Sequence, residues 1–341
     1  MIVAGRDQLG QKLARAAGLT GVTTTLVKVA GPIVLDDGVV GRASQFNAVG
    51  APSLITLLEQ TRDSVGVKGV CAMTTYPLYL NVRNPAIKSI RDFTDKDRIV
   101  VPSVKVSTQA IMLQMAAAKE FGDASYAHFD PWTVGLSHPD GLLALTNNNG
   151  GVDAHFTTSP FHEQEMKIPG VRTLTTSYEI LGGPATAIVI ATSTKYRDAN
   201  PRTYKAFLDA LKEAIDIINR DKRAAAKVYL EQAKDTKNSV DDILAMINAP
   251  DYAHTLTPQK VSKTAEFTAK IAPIQTNPAT RKELFSPETH GPRGGWRAAG
   301  GRGRRPAPWR SARRVRGCSW GRSGFWCPCG GGSRTARRPR G

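Results

Sequence analysis

The chain has 341 residues, 41% of them hydrophobic, and a formal charge of +17. That length allows one or two domains with a sizeable core. The longest apolar stretch of the body, Ala185 to Ala191, falls far short of the ~18 residues of a membrane span, and residues Met1 to Asp7 lack the basic and apolar regions of a secretory signal, so no export address is visible.

In chain order, a helix is expected from Asp7 to Ala17 and a strand from Val22 to Val29. Phe46 to Val49 leads into Ala51-Pro52-Ser53 and a helix over Leu54 to Leu58. Val70 to Thr74 and Leu78 to Val82 read as further strands. The middle of the chain then alternates regularly. Strands are expected at Arg98 to Pro102, Thr133 to Ser137, Val152 to Thr157 and Val171 to Thr176. Between them lie helices at Ser107 to Phe121, Pro139 to Leu145 and Ser159 to Met166, the last two with Pro near the start. This βαβαβαβ order predicts a mainly parallel sheet covered by helices, an α/β architecture.

After Leu181-Gly-Gly-Pro184 one strand, Ala187 to Ala191, precedes a largely helical region. Asn200-Pro201 supplies a cap and a first-turn proline. The helix behind it places Phe207, Ala210, Leu211, Ala214, Ile215 and Ile218 on one face. Asp221, Ser239 and Thr257-Pro258 are candidate caps for three more helices.

The charge is concentrated at the end. Residues Gly291 to Gly341 hold 14 Arg and no Lys, Asp or Glu, so the body keeps the other 32 of 46 basic residues against all 29 acidic ones. The body is thus nearly neutral, and no nucleic-acid partner is expected for it. The tail also holds four of five tryptophans and three of four cysteines. Such a composition buries too little apolar surface to offset ordering entropy, so residues 286–341 are expected to be disordered. Its residue types have GC-rich codons, the texture of a gene end read out of frame; an Arg-rich nucleic-acid-binding tail is the alternative. Cys71, alone in the body, excludes a disulfide framework there.

Three strand-to-helix junctions share one design: Gly50-Ala-Pro-Ser53, Val106-Ser107-Thr108-Gln109 and Thr157-Thr158-Ser159-Pro160. Each sets small hydroxyl residues where free backbone N–H groups and the positive end of a helix dipole stabilise a polar or negative ligand group. In α/β sheets ligands sit at the carboxyl ends of strands. Ser53, Tyr76, Ser107, Thr108, Thr158 and Ser159 are therefore the candidate ligand-binding residues, with simple N-capping as the competing role for each hydroxyl. Tyr79 and Trp132 are further candidate flat walls. His128, His138, His155 and His162 cluster with Asp130, Asp153 and Glu163 but show no zinc spacing, and Cys318, Cys327 and Cys329 lack a CxxC pair, so no metal is expected. Neither a nucleophile elbow, a P-loop nor a dinucleotide fingerprint is present, and no cofactor is expected. Asp36-Asp37 and Asp241-Asp242 read as a loop and a first helical turn.

Several segments resemble one family in order along residues 10 to 290. They are Ile90-Arg-Asp-Phe-Thr-Asp-Lys96 before the strand at Ile99, Val101-Pro-Ser103 with Ser107-Thr-Gln-Ala110, Gly151-Val-Asp-Ala154 with Pro160-Phe161, the loops at Ala30-Gly-Pro32 and Gly50-Ala-Pro-Ser53, and Phe285 to His290. Together they resemble the substrate-binding proteins of ABC importers of the nitrate/sulfonate/taurine type, with the periplasmic-binding-protein-like II fold. The departures are a reduced first strand at Met1 to Gly5, Gly38 to Phe46 in place of a regular element, and the Asn147 to Gly151 turn.

The resemblance implies two α/β lobes, each a mainly parallel sheet covered by helices, assigned as 1–79 plus 185–285 and 80–184. It implies a cleft that takes a sulfonate, nitrate, carboxylate or pyrimidine-type molecule, a monomer, and delivery to a membrane permease. It also implies no catalysis and a periplasmic location. Carried over by position, Ser53, Ser107, Thr108 and Thr158 match polar cleft positions. The alternative is an enzyme of the same fold that makes the thiamine pyrimidine with a cysteine-rich motif, which this body lacks.

Overall fold

The computed structural model describes residues 44–147, 151–271 and 281–287, with isolated Gly18, Leu19 and Thr25. The expected helix at Asp7 to Ala17, the strand at Val22 to Val29, the Ala30-Gly-Pro32 loop, Asp36-Asp37 and the Arg-rich tail lie outside these residues.

The chain opens with β1 (Asn47–Val49), α1 (Ala51–Thr61) and β2 (Val67–Thr75), and crosses to β3 (Tyr79–Val82). The middle continues as β4 (Arg98–Val101), α2 (Thr108–Phe121), β5 (Thr133–Gly135), α3 (His138–Asn147), β6 (Val152–Thr157), α4 (Phe161–Glu165) and β7 (Arg172–Thr176). A short helix α5 (Ser177–Leu181) leads to β8 (Thr186–Ser193) and α6 (Thr194–Ala199). Then come α7 (Pro201–Arg220), α8 (Lys222–Ala233), α9 (Val240–Asn248), β9 (Ala253–His254), α10 (Val261–Ile271) and α11 (Arg281–Leu284).

The strands form two sheets, one ordered β1-β8-β2-β9 and one ordered β5-β4-β6-β3-β7. In the second sheet β4 pairs parallel with β5 and β6, while β3 runs antiparallel to β6 and β7. The β-α alternation from β4 to β7 follows the expected order, because helical crossovers return each strand in the same sense. In the first sheet the named strands pair antiparallel, with β8 between β1 and β2, and Gly69 of β2 adds one parallel bridge to Phe285. Parallel pairing was expected there; the sequence signal of short β-branched runs carries no strand direction.

Each sheet of the pair has its own core. In the first, Val189 and Ala191 of β8 face α1, where Leu54, Ile55 and Leu57 are fully buried, and α10 adds Val261 and Ala265. Ile190 points to the opposite face, against Tyr204, Leu208, Leu211 and Ile215 of α7. This is the period-two alternation of a strand covered on both sides. Val70 and Cys71 both meet α7 because the β2–β8 pairing slips between Gly69 and Cys71. Burial of each large side chain contributes roughly 1.5–3 kcal/mol. In the second sheet Leu80, Ile99, Val101, Ala154 and Phe156 pack with Ile111, Met112, Leu113 and Ala117 of α2.

Several boundaries differ from those expected, two helix starts among them. The helix expected from Ser159 begins at Phe161, after a cis Ser159-Pro160 bond. The cap expected at Thr257-Pro258 is not one: α10 starts at Val261, and the Gln259 N–H is held instead by the Thr186 hydroxyl at 2.9 Å. Helix α5 had no counterpart in the expected order. It is set by a capping box, in which Thr176 accepts from the Glu179 N–H and Glu179 accepts from the Thr176 N–H.

Candidate functional site

Two of the three hydroxyl-bearing junctions face each other. Gly50 ends β1 and caps α1, and Thr108 opens α2. A Cβ on Gly50 would lie 2.2 Å from the Thr108 hydroxyl oxygen, so only glycine permits this approach. Ser53 and Ser107 are buried, at 6% and 3% exposure. The Ser107 hydroxyl donates to the Ser103 carbonyl at 2.7 Å and accepts from the Ala110 N–H at 3.3 Å. It is an N-cap whose single proton is committed to the backbone. Pro52 in the first turn of α1 removes one of the free donors there.

The third junction has different surroundings. Ser159 and Pro160 line a cavity of about 360 Å³. Its floor is Met73, Thr74 and Ile188 from the centre of the first sheet. Its walls come from α7 (Leu211, Ala214, Ile215, Ile218), α8 (Ala225, Ala226, Tyr229) and α9 (Ile243, Met246, Ile247). Tyr76, Tyr252 and His254 complete the polar side next to Ser159. The amphipathic pattern of α7 thus covers the sheet with its N-terminal half and lines a void with its C-terminal half. This volume falls within the range of roughly 300–1,000 Å³ typical of small-molecule pockets, and a mostly apolar lining with a few convergent polar groups is their usual character.

The polar side sits at the crossing between the sheets. Tyr76 and Thr158 share a side-chain hydrogen bond, and the Tyr76 ring stacks on Tyr252 at 5.3 Å between centroids. Tyr178 donates its hydroxyl to the Asp251 carbonyl at 2.8 Å. Ser159 donates to Glu163 at 2.6 Å. Around them, the hydroxyls of Thr74, Thr75 and Thr157 and one carboxylate oxygen of Glu163 are buried with no hydrogen-bond partner. Buried polar atoms without partners are uncommon, and of these four residues Thr74 alone lines the cavity. Burial raises the Glu163 carboxyl, and burial likewise depresses His254 to about 4.

His138 and His155 belong to a chain of contacts inside the second sheet's unit. Glu165, completely buried, accepts from Asn81 at 2.8 Å and pairs with His155 Nδ1 at 2.6 Å. His155 Nε2 lies 3.1 Å from His138 Nδ1, and His138 Nε2 lies 3.3 Å from the Gln109 amide nitrogen. Burial, then His155, pushes His138 down to about 3. Gly141 of α3 makes room, because a Cβ there would meet the His155 ring at 2.7 Å. His162 stacks on Tyr79 at 3.6 Å and is depressed to about 4 by burial. No group of three or more metal-ligating side chains occurs among the described residues.

Of the candidate site residues, Tyr76 and Ser159 line the cavity and Thr158 is bonded to Tyr76. Ser53, Ser107 and Thr108 are absent from its lining. Trp132 packs edge-on to His128 and Phe129 in the second core, and Tyr79 is taken up by His162. Sequence reasoning missed Tyr252, His254 and Tyr229. The one available signal was the aromatic pair in Asp251-Tyr-Ala-His254, which follows a helix rather than a recognisable strand.

No protein-family model matches the chain. No curated protein matches it in sequence. Solved structures do match in fold. The periplasmic aliphatic sulphonate binding protein SsuA from Escherichia coli superposes with a TM-score of 0.62 at 17% identity, covering 84% of this chain and 93% of that one. The alkanesulfonate-binding protein SsuA from Xanthomonas axonopodis pv. citri, solved with MOPS, gives 0.60 at 19%, covering 83% and 91%. A Candida albicans protein described as having the generic periplasmic binding protein fold gives 0.59 at 15%, covering 80% and 88%. This chain therefore has the α/β periplasmic-binding-protein fold, as the sequence resemblance implied.

Proposed function

We propose that this protein is the solute-binding component of an importer, capturing a small organic molecule between two lobes and handing it to a membrane permease. The lobes are residues 1–79 with 185–285, and residues 80–184. The protein acts as a monomer outside the cytoplasmic membrane. The observation that carries the reading is the cavity at the sheet crossing, lined by residues of both sheet units and closed on one side by Tyr76, Ser159, Tyr252 and His254. Tyr76, Thr158 and Ser159 contact the ligand. Ser53 and Thr108 form the facing lips of the two lobes, where Gly50 and Thr108 touch.

Catalysis is not part of the proposal. The most enzyme-like constellation, Glu165–His155–His138, has its first two members fully enclosed, and no hydroxyl or thiol nucleophile bonds to it among the described contacts. A cysteine-dependent reaction is opposed by Cys71, whose thiol is buried and pushed up to about 12, far from the thiolate form. The test is a thermal-shift screen against small anions, sulfonates, aromatic acids, pyrimidines and amines, with each hit followed by calorimetry. A ligand of the folded state raises the melting temperature, by about 2.7 kcal/mol in stability at a hundredfold excess over Kd. The proposal expects at least one hit with one-to-one stoichiometry. Turnover of a hit, or no hit across the set, contradicts it.

A further inference from the structure

We infer that the cavity selects an uncharged molecule, with an apolar body against α7–α9 and one hydroxyl or carbonyl group at the Tyr76–Tyr252–His254 end. This rests on the solute-binding reading above and names the ligand's chemical class.

The walls decide the body. Ile218, Ile243, Met246 and Ile247 present hydrocarbon and thioether surface, so the part of a ligand that lies against them is apolar. The absence of charge decides the head group. No Lys, Arg, Asp or Glu is among the described residues lining the cavity. Lys222 bonds the Ile247 carbonyl at 2.8 Å and Glu163 accepts from Ser159 at 2.6 Å, but neither charged side chain is itself part of the lining. A charged head group would give up its water here without gaining a counter-charge, which is strongly unfavourable for either sign.

Helix N-termini, the other usual source of donors for an anion, are closed as well. Asp221 caps α8 by accepting from the Ala224 N–H at 2.9 Å, and Ser239 caps α9 by accepting from the Asp242 N–H at 3.1 Å. The first two N–H groups of α4, on Phe161 and His162, both go to the Thr158 carbonyl, at 2.9 and 3.1 Å. Ser53, Ser107 and Thr108, at the starts of α1 and α2, are absent from the lining. What remains suits an uncharged polar group. Tyr76, Tyr252 and His254 are half-buried and line the cavity beside Ser159. A phenol both donates and accepts, and the Ser159 oxygen, its proton given to Glu163, can accept. Burial holds His254 at about 4, so at neutral pH its imidazole is uncharged and offers one donor and one acceptor. A hydroxyl or carbonyl group meets such a set without bringing charge.

The experiment adds three probes with one shared body to the compound screen: phenylbutanol, phenylbutylamine and phenylbutanoate, each with its ring at the chain end. Each is titrated calorimetrically into the full chain at neutral pH and low salt. The alcohol is expected to bind at least tenfold more tightly than either ion. Ile218→Lys sets a cation in the half-buried wall and should narrow the alcohol-to-carboxylate ratio at least threefold. Should that variant not fold, the wild-type comparison decides alone. An ion that binds as tightly as the alcohol, or an unchanged ratio in a folded variant, overturns the assignment and leaves the solute-binding reading standing. Binding of none of the three also overturns it, and if the rest of the compound screen is then empty the solute-binding reading falls as well.

Discussion

The Ser107 junction and the Ser159 junction look alike in sequence, each a pair of small hydroxyl residues between a strand and a helix. In the structure one is closed and the other is open. Ser107 gives its proton to Ser103 and takes one from Ala110, so it has no proton left to donate to a ligand. Ser159 lines a cavity together with Thr74, whose hydroxyl has no partner in the protein. A hydroxyl at a strand end is a cap when the backbone saturates it, and part of a site when a void and unsatisfied neighbours lie beside it. The same contrast holds between the two interiors. The second unit holds a bonded polar chain in its interior, with Asn81 and His155 on Glu165 and His138 on His155. The first leaves an apolar space under α7–α9.

Breaking the filled interior gives the largest expected effect. Glu165→Ala strands His155 and Asn81 without their acceptor in a site with no solvent access. Loss of one partner of a buried pair costs about 3–5 kcal/mol, read as a lower midpoint in urea denaturation. A change under 1 kcal/mol would show that the network is not enclosed.

Acidification sharpens the comparison next. His138 is held near 3 in the folded chain, below the ordinary value near 6.5 of an unfolded chain. The unfolded chain therefore takes up the proton first, and stability falls as pH drops below about 6.5. At pH 5 the loss from His138 is about 2 kcal/mol. His162 and His254, both depressed to about 4, act in the same direction. Glu163, raised by burial, acts oppositely, gaining its proton earlier in the folded chain. The net expectation is a falling urea midpoint from pH 7 to 5, with a shallower slope in His138→Gln. A flat profile, or the same slope in the variant, would count against buried neutral histidines.

The smallest effect belongs to the closed junction. Ser107→Ala should lower stability by about 0.5–2 kcal/mol through the lost cap, and leave ligand affinity unchanged. Weakened binding by calorimetry, well below the melting temperature, would move Ser107 into the site.

Much of the fold was legible because its signals are local. The β-α alternation from Arg98 to Thr176 follows from hydrophobic period and helix-start residues. The apolar face of α7 follows from spacing alone, with Ala210, Leu211, Ala214 and Ile215 buried as expected. The antiparallel pairing of β8 was not legible, because strand direction is set by non-local pairing. The site was legible in part. Tyr76, Thr158 and Ser159 stood out by residue type beside a strand end. Tyr252 and His254 did not, because β9 is two residues long and its neighbour β2 is about 180 positions earlier in the chain. The paired contact of Gly50 with Thr108 was hidden for the same reason: the sequence shows a glycine, and only the fold shows what stands against it.

The central claim, that the cavity under α7–α9 holds the ligand, is tested most directly by filling it. Ile218 is half-buried and lines the void without belonging to the core cluster on the sheet, so Ile218→Trp occupies the space with little disturbance of the fold. Wild type and variant are titrated with the same ligand in one calorimetric series. The account predicts clear binding to wild type and at least a tenfold loss in a variant of similar melting temperature. Equal affinity for both would place the ligand elsewhere and contradict it.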